Sequence, residues 1–370
     1  MAEKGNVTLL AGGDIGPNID PVDQYAELIA PVLRQADLRF GQCEKTYTER
    51  VLAKKHGYCN PRQASVWNTA GIDVVGLANN AMAHGRDVLM DTVGMFRGMG
   101  KSTIGVGRNI DEARTPAIME RNGVTIAFLG YCSVLKDGED ATHDRAGVVP
   151  MRARTYYQRG GDPTEDWQPG MPPRVHTVPY EQDLQALQDD IRTAKQHADV
   201  VVMSIHWGIH LIPKTIAEYQ PVVAHAAIDA GADLILGHHP HTLKGIEVYK
   251  GKACFYSLGN LMMTAPKPLA NNRWGLWWYR PDAEYAPTKS IYLYPPDSRM
   301  TMLAKAVFSR KGVERISFLP AFINPRAQPA VVTPDQSRFQ DILSYVEWLS
   351  DPFATQFSVD GNEIVVDAAA

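Results

Sequence analysis

The sequence predicts an α/β protein, and three observations carry that prediction. Of 370 residues, 45% are apolar and 21% charged, the profile of a globular chain able to bury a large core. Short β-like apolar runs alternate with amphipathic segments over most of the chain. Polar residues with ligand chemistry collect just after those runs, at the edge where open α/β sheets bind ligands.

Taken in order, residues 7–11 read as a strand, 21–36 as a helix, 38–42 as a strand and 65–70 as the end of a helix. A strand at 74–77, a helix at 86–99 and a strand at 125–131 follow. The second half repeats the rhythm with a helix at 180–197, a strand at 200–206, a helix at 220–230 and strands at 234–236 and 254–257. Late β segments at 302–309 and 313–320 precede a helix near 334–349. This order implies a sheet with helices on its faces.

Two stretches interrupt the rhythm. Residues 136–179 are rich in Gly, Pro, Arg and Asp, and residues 264–296 combine Pro266, Pro268, Pro281, Pro287 and Pro295 with a Trp/Tyr cluster. Loops this long inside a compact domain are usually functional covers or disordered. The expected organisation is one domain over residues 1–370, with insertions at those two places.

Several classes are excluded or disfavoured. A net charge of −4 with no basic stripe gives no reason to expect nucleic acid. The opening MAEKGNVTLLAGGD reads as neither leader nor anchor, and no apolar run reaches the roughly 18 residues of a membrane span. A cytoplasmic protein with no membrane partner is the expectation, acting on a small-molecule substrate, with oligomerisation left open. Cys43, Cys59, Cys132 and Cys254 are widely spaced, which disfavours a disulfide framework and a thiolate zinc knot alike.

The chemistry collects at strand ends. Asp14 follows the first apolar run, Glu44 the second, Asn79 and Asn80 the third; His206 ends the 200–206 run, and Gly237-His238-His239-Pro240-His241 follows 234–236. Singly, each has a plainer reading: Asp14 as a turn or helix cap, Glu44 as a surface charge, Asn79-Asn80 as a turn pair, His206 as a core histidine. Together, Asp14, Glu44, Asn79, His206, His239 and His241 form a carboxylate, amide and imidazole set suited to Mn, Zn, Fe or a similar divalent ion. With one bridging carboxylate such a set holds two cations, about 3.5–4 Å apart in dinuclear hydrolytic sites. Pro240 fixes its own φ and restricts its neighbour, so adjacent imidazoles can be aimed in different directions.

The blocks Ala11-Gly12-Gly13-Asp14, Cys43-Glu44, Leu77-Ala78-Asn79-Asn80, Ser204-Ile205-His206-Trp207-Gly208, Gly231 to His241 and Tyr256-Ser257-Leu258-Gly259-Asn260 resemble the CapA-type capsule or poly-γ-glutamate biosynthesis proteins. That family is similar to the calcineurin-like metallophosphoesterases. The resemblance implies a four-layer α/β/β/α sandwich around a two-metal site. It also implies that Asp14 and His241 hold one ion, that Asn79, His206 and His239 hold the other, and that Glu44 lies between them.

This chain departs from the family pattern at two places. The family's Asn-Asn-His reads Asn79-Asn80-Ala81 here, which removes a candidate proton donor, and its Trp-Gly-x-Glu reads Trp207-Gly208-Ile209-His210. His210 and His84 are the available imidazoles for acid–base work, beside Asn80. The expected function is a dinuclear metal-dependent hydrolase cleaving a phosphoester, ester or amide, with another metal-assisted cleavage as a variant. The alternatives are an accessory protein of poly-γ-glutamate or capsule metabolism and a non-catalytic metal-dependent binding protein. In the second insertion Arg273, Trp277, Trp278 and Arg280 make a suitable cover for an aromatic or carboxylated molecule. Anchoring the loop to the body is the plainer role for each of them.

Overall fold

The computed structural model describes residues 5–50, 58–80, 85–160, 170–265 and 289–367. Two mixed sheets form its centre. The larger runs in the order Gln356–Asp360, Glu363–Asp367, Gly312–Ile323, Met300–Ser309, Val7–Gly16, Leu38–Cys43, Val74–Gly76, Ser102–Ile104, with Asn260–Met263 also paired to Val7–Gly16 and Pro329–Val331 to Gly312–Ile323. The smaller runs Ile246–Tyr249, Lys252–Phe255, Leu234–His238, Val200–His206, Val124–Cys132, Ala117–Arg121. In the smaller sheet the middle strands are parallel and the two edge strands antiparallel. In the larger, the strands from Val7–Gly16 to the edge strand Ser102–Ile104 are parallel and antiparallel strands flank them on the other side.

Period-two alternation explains why the sheets face each other. Leu9, Ala11, Phe40 and Val74 of the larger sheet share one buried cluster with Ile126, Phe128, Val200, Val202, Leu234 and Leu236 of the smaller, because every second side chain points to the same face. The opposite faces carry helices. Leu10, Ile15 and Val75 pack with Leu33, Leu89, Val93 and Phe96, while Ala127, Leu129, Val201 and Met203 pack with Leu187, Ile191, Val223 and Ala227. The layers are therefore α/β/β/α, as expected.

Most expected elements stand within a residue or two of their expected limits, as with Val200–His206 and Arg86–Gly98. The helix expected over 21–36 is broken into a 3-10 turn, Val22–Ala26, and a short helix, Ala30–Leu33. Pro31 sits in the first turn of the second piece; with no N–H, and with a ring that crowds the carbonyl four residues back, it starts a helix readily and interrupts one already running. The strand expected at 254–257 is Lys252–Phe255.

The first insertion is more ordered than a loop. It contains the antiparallel ribbon Ala153–Gln158 with Arg174–Pro179, joined to neither large sheet. The hairpin Ala117–Arg121 with Val124–Cys132 was also not among the expected elements. Its two-residue turn is Asn122-Gly123, both at positive φ, the pair that a tight hairpin of this twist favours. No helix among the described residues is long and apolar enough to cross a membrane.

Candidate metal centre

The parallel strands of both sheets end at one rim, and the ligand-type residues gather there. Asp14 lies inside the first strand, not beyond it: the strand continues to Gly16, and its pairing slips on both sides of Asp14. Such irregularities re-aim a side chain. Gly13 allows the approach, since a Cβ there would lie 2.0 Å from the Gly259 carbonyl oxygen, which accepts the Asp14 N–H at 3.0 Å. Glu44 follows Leu38–Cys43, Asn79 follows Val74–Gly76, His206 ends its strand and His239 follows Leu234–His238.

The rim is nearly dry. Asp14, Asn79 and His206 are wholly buried, Glu44 and His239 nearly so, and the His241 side chain is 13% exposed. Asp14, Glu44 and His206 each bring one donor atom within 4.8 Å of the others. His206 Nδ1 lies 3.2 Å from Glu44 Oε1, and His241 Nδ1 lies 3.2 Å from Asp14 Oδ2. His206 Nε2 faces Asn80 Oδ1 at 3.1 Å and His239 Nδ1 at 3.1 Å. The Asn79 amide donates to the Cys43 carbonyl, tying the third strand end to the second.

Cation binding can be tested on the buried polar atoms. Asp14 Oδ1, Glu44 Oε1 and His206 Nδ1 are buried and make no hydrogen bond among the described residues, although buried polar atoms nearly always have a partner. Two carboxylate oxygens and an imidazole nitrogen in one pocket are the donors a hard or borderline divalent cation takes. The residues fit such an ion.

The electrostatics agree. Burial, then the charge of Asp14, lift the Glu44 carboxyl to about 8. Burial, followed by the neighbouring imidazoles, holds His206 and His239 well below the usual histidine range, so both are neutral and able to offer a lone pair. His241 goes the other way: burial lowers it, but the hydrogen bond and charge of Asp14 outweigh that, and the net shift is upward.

Backbone strain marks the same place. His239 and His241 have φ of 97° and 56°, conformations that non-glycine residues rarely adopt and that cluster at functional sites. Pro240 therefore acts within a left-handed turn rather than an extended one, and that turn separates the two imidazoles.

His210 belongs to this cluster. Its ring centroid lies 3.8 Å from that of His239 and 5.3 Å from that of His241, and burial lowers its pKa to about 3. His84, Arg273, Trp277, Trp278 and Arg280 lie outside the described residues, so their expected roles stay expectations. In the first insertion, Arg152 donates two hydrogen bonds to the Asp183 carboxylate and Tyr157 is 73% exposed.

Two residues at the centre were given no role from the sequence. His238 is wholly buried, its Nδ1 3.9 Å from Asp14 Oδ1, and burial lowers its pKa to about 4. Asn260 is buried beside Asp14 on the paired strand, with Oδ1 2.8 Å from His241 Nδ1. Its signal was the Tyr256-to-Asn260 block, which carried a resemblance without a chemistry.

Fold and site together define a four-layer α/β/β/α sandwich with a candidate cation centre at the strand ends. The family model described as bacterial capsule synthesis protein PGA_cap matches residues 8–265, and the chain belongs to that family. It is 32% identical over 250 residues to the PGA biosynthesis protein CapA of Bacillus subtilis (strain 168), covering 66% of this chain and 57% of that protein. It is 29% identical over 279 residues to the capsule biosynthesis protein CapA of Bacillus anthracis, covering 70% of this chain and 60% of that one. The matches thus span less than two thirds of the length of either relative. Among solved structures, the calcineurin-like phosphoesterase YfkN from Bacillus subtilis aligns over 89% of this chain and 88% of its own, with a TM-score of 0.39 and 14% identity.

Proposed function

We propose that this protein is a metal-dependent hydrolase that cleaves a phosphoester, ester or amide bond of a small molecule. The observation that carries the reading is that Asp14, Glu44 and His206 bring donor atoms within 4.8 Å of one another, and that each of the three has a buried polar atom with no hydrogen bond among the described residues. Asp14 and His241 would hold one cation, Asn79, His206 and His239 a second, and Glu44 would be shared. Bound cations supply Lewis-acid activation of water and of the bond to be broken.

The chain's own residues do the rest. Burial keeps the rim dry, which strengthens every charge interaction there. Asn80 Oδ1 faces His206 Nε2; with the ring protonated there, the Nδ1 lone pair is left toward Glu44. His210, packed on His239 and partly open to solvent, would do the proton transfer expected of the histidine that Ala81 replaces; burial keeps the ring neutral, so it would first take up the proton that it passes on. Incubating the metal-reconstituted protein with a panel of small esters, amides and phosphoesters tests this; no turnover on any class by protein with a full metal complement would overturn it.

A second reading, an accessory role in capsule or polyglutamate metabolism, is favoured by the family membership. Turnover of a small molecule together with no capsule phenotype on deletion would separate the two.

A further inference from the structure

A chain of hydrogen bonds runs from the residues after the second insertion into the metal centre, and its direction is fixed at the far end. The Ser298 carbonyl can only accept, so the Tyr292 hydroxyl that bonds it donates. The Tyr292 oxygen is then an acceptor for Asn260, 2.8 Å away, so the amide nitrogen Nδ2 faces the tyrosine. That turns Asn260 Oδ1 toward His241 Nδ1, at 2.8 Å. An amide oxygen accepts, so Nδ1 must carry the proton. The ambiguity of amide orientation and histidine tautomer that heavy atoms alone leave open is removed here by the carbonyl that starts the chain.

The second neighbour of the same nitrogen agrees. Asp14 Oδ2, 3.2 Å from His241 Nδ1, is also an acceptor. Asn260 is held beside Asp14 by strand pairing, Asp14 opposite Asn260 in the parallel register, and both are wholly buried. The two acceptors are thus presented from adjacent strands to one N–H.

We propose that Asn260 and Tyr292 are positioning residues that hold His241 as its Nδ1–H tautomer, leaving Nε2 as the only lone pair the ring can offer a cation. This rests on the metal reading above. Metal-ligating histidines depend on such partners of the other ring nitrogen, and losing one typically costs 10–100-fold in metal affinity. Asn260 carries this role because Asp14 is itself a candidate ligand whose oxygens a cation would draw on, whereas the Asn260 oxygen stays available to His241.

The test has two arms. Nitrogen-15 NMR of the metal-free protein, on the alkaline side of the His241 titration, should show the ring protonated on Nδ1. An Nε2–H ring in the wild type would overturn the proposal. In the second arm, Zn²⁺ affinity is measured by chelator competition for the wild type, Asn260→Leu and Tyr292→Phe. Asn260→Leu should weaken binding roughly 10-fold or more, and Tyr292→Phe should weaken it in the same direction by freeing the Asn260 amide to turn. Tyr292→Phe keeps the buried ring, so it decides the matter if Asn260→Leu fails to fold. Binding within twofold of wild type in both variants would also overturn the proposal. A wild type that binds no Zn²⁺ would remove the metal reading, and the NMR arm would still decide the tautomer.

Discussion

His206 Nδ1 and Glu44 Oε1 lie 3.2 Å apart at the rim, yet neither atom makes a hydrogen bond among the described residues. Two buried groups so placed are suited to a cation that binds both. The expected content is close to two divalent ions per chain, measured by elemental analysis after reconstitution, because the six donor residues exceed the four that one tetrahedral site takes. A stoichiometry near zero would overturn the metal reading.

Glu44 sets the pH dependence of that binding. Its carboxyl sits at about 8 in the metal-free fold, and a cation takes the deprotonated form, so binding should release a proton and tighten with pH up to about 8. Without metal the sign reverses for stability: between about 4.5 and 8 the folded chain holds more protons than the unfolded one, so stability falls as pH rises through that window. Calorimetric titration in buffers of different ionisation enthalpy reads the proton release. Equal affinity at pH 6 and pH 8 would contradict it.

Replacing His206, His239 or His241 by Ala should lower metal occupancy and turnover together while leaving cooperative unfolding. These residues lie at the ends of strands whose interiors make the core. His239→Ala with full metal content and full rate would remove that residue from the ligand set.

His210→Ala should depress turnover roughly 100-fold or more with both metals retained, the scale of lost general acid–base catalysis. His210 lies against the rings of His239 and His241. Loss of metal in this variant would assign it to the ligands, and a wild-type rate would show that no proton donor is needed there.

Lys244 is wholly buried and bonds the carbonyls of Ile212 and Thr215, which closes the segment after His210 onto the molecule. Lys244→Met should cost about 1–3 kcal/mol by leaving buried carbonyls unpaired. Burial lowers the lysine to about 8, so from there to its ordinary 10.5 the unfolded chain holds more protons and the wild type gains stability as pH rises. Denaturant melts of both proteins at pH 7 and pH 10 should show the gap widening at the higher pH; a gap that narrows would refute this account.

Truncating Trp277 or Trp278, or replacing Arg273 or Arg280, should raise KM with metal content unchanged if the second insertion contacts substrate. Wild-type kinetics in all four variants would give those residues a structural role.

How much of this was legible beforehand follows from the range of each interaction. The strands at 7–11, 74–77 and 200–206 were readable because burial on both faces leaves short, nearly continuous apolar runs, and that at 38–42 by the alternation of Leu38 and Phe40 with Arg39. The hairpin at Asn122-Gly123 carried its signal in two residues and was still missed, because Ala117–Arg121 is only half-buried and alternates weakly. The ribbon in the first insertion has mostly exposed residues, so no core pattern marked it.

The sequence by itself determined the α/β rhythm and the identity of the donor residues, since ligand chemistry is a property of side-chain type and strand ends are marked by where apolar runs stop. Tertiary structure alone decided the rest: that Asp14 is aimed by a bulge, that His239 meets it from 225 positions away, and that Asn260 stands beside it with its oxygen toward His241. Strand pairing and hydrogen-bond direction are relations between distant segments, fixed only when the sheets close and every buried donor and acceptor must find its partner.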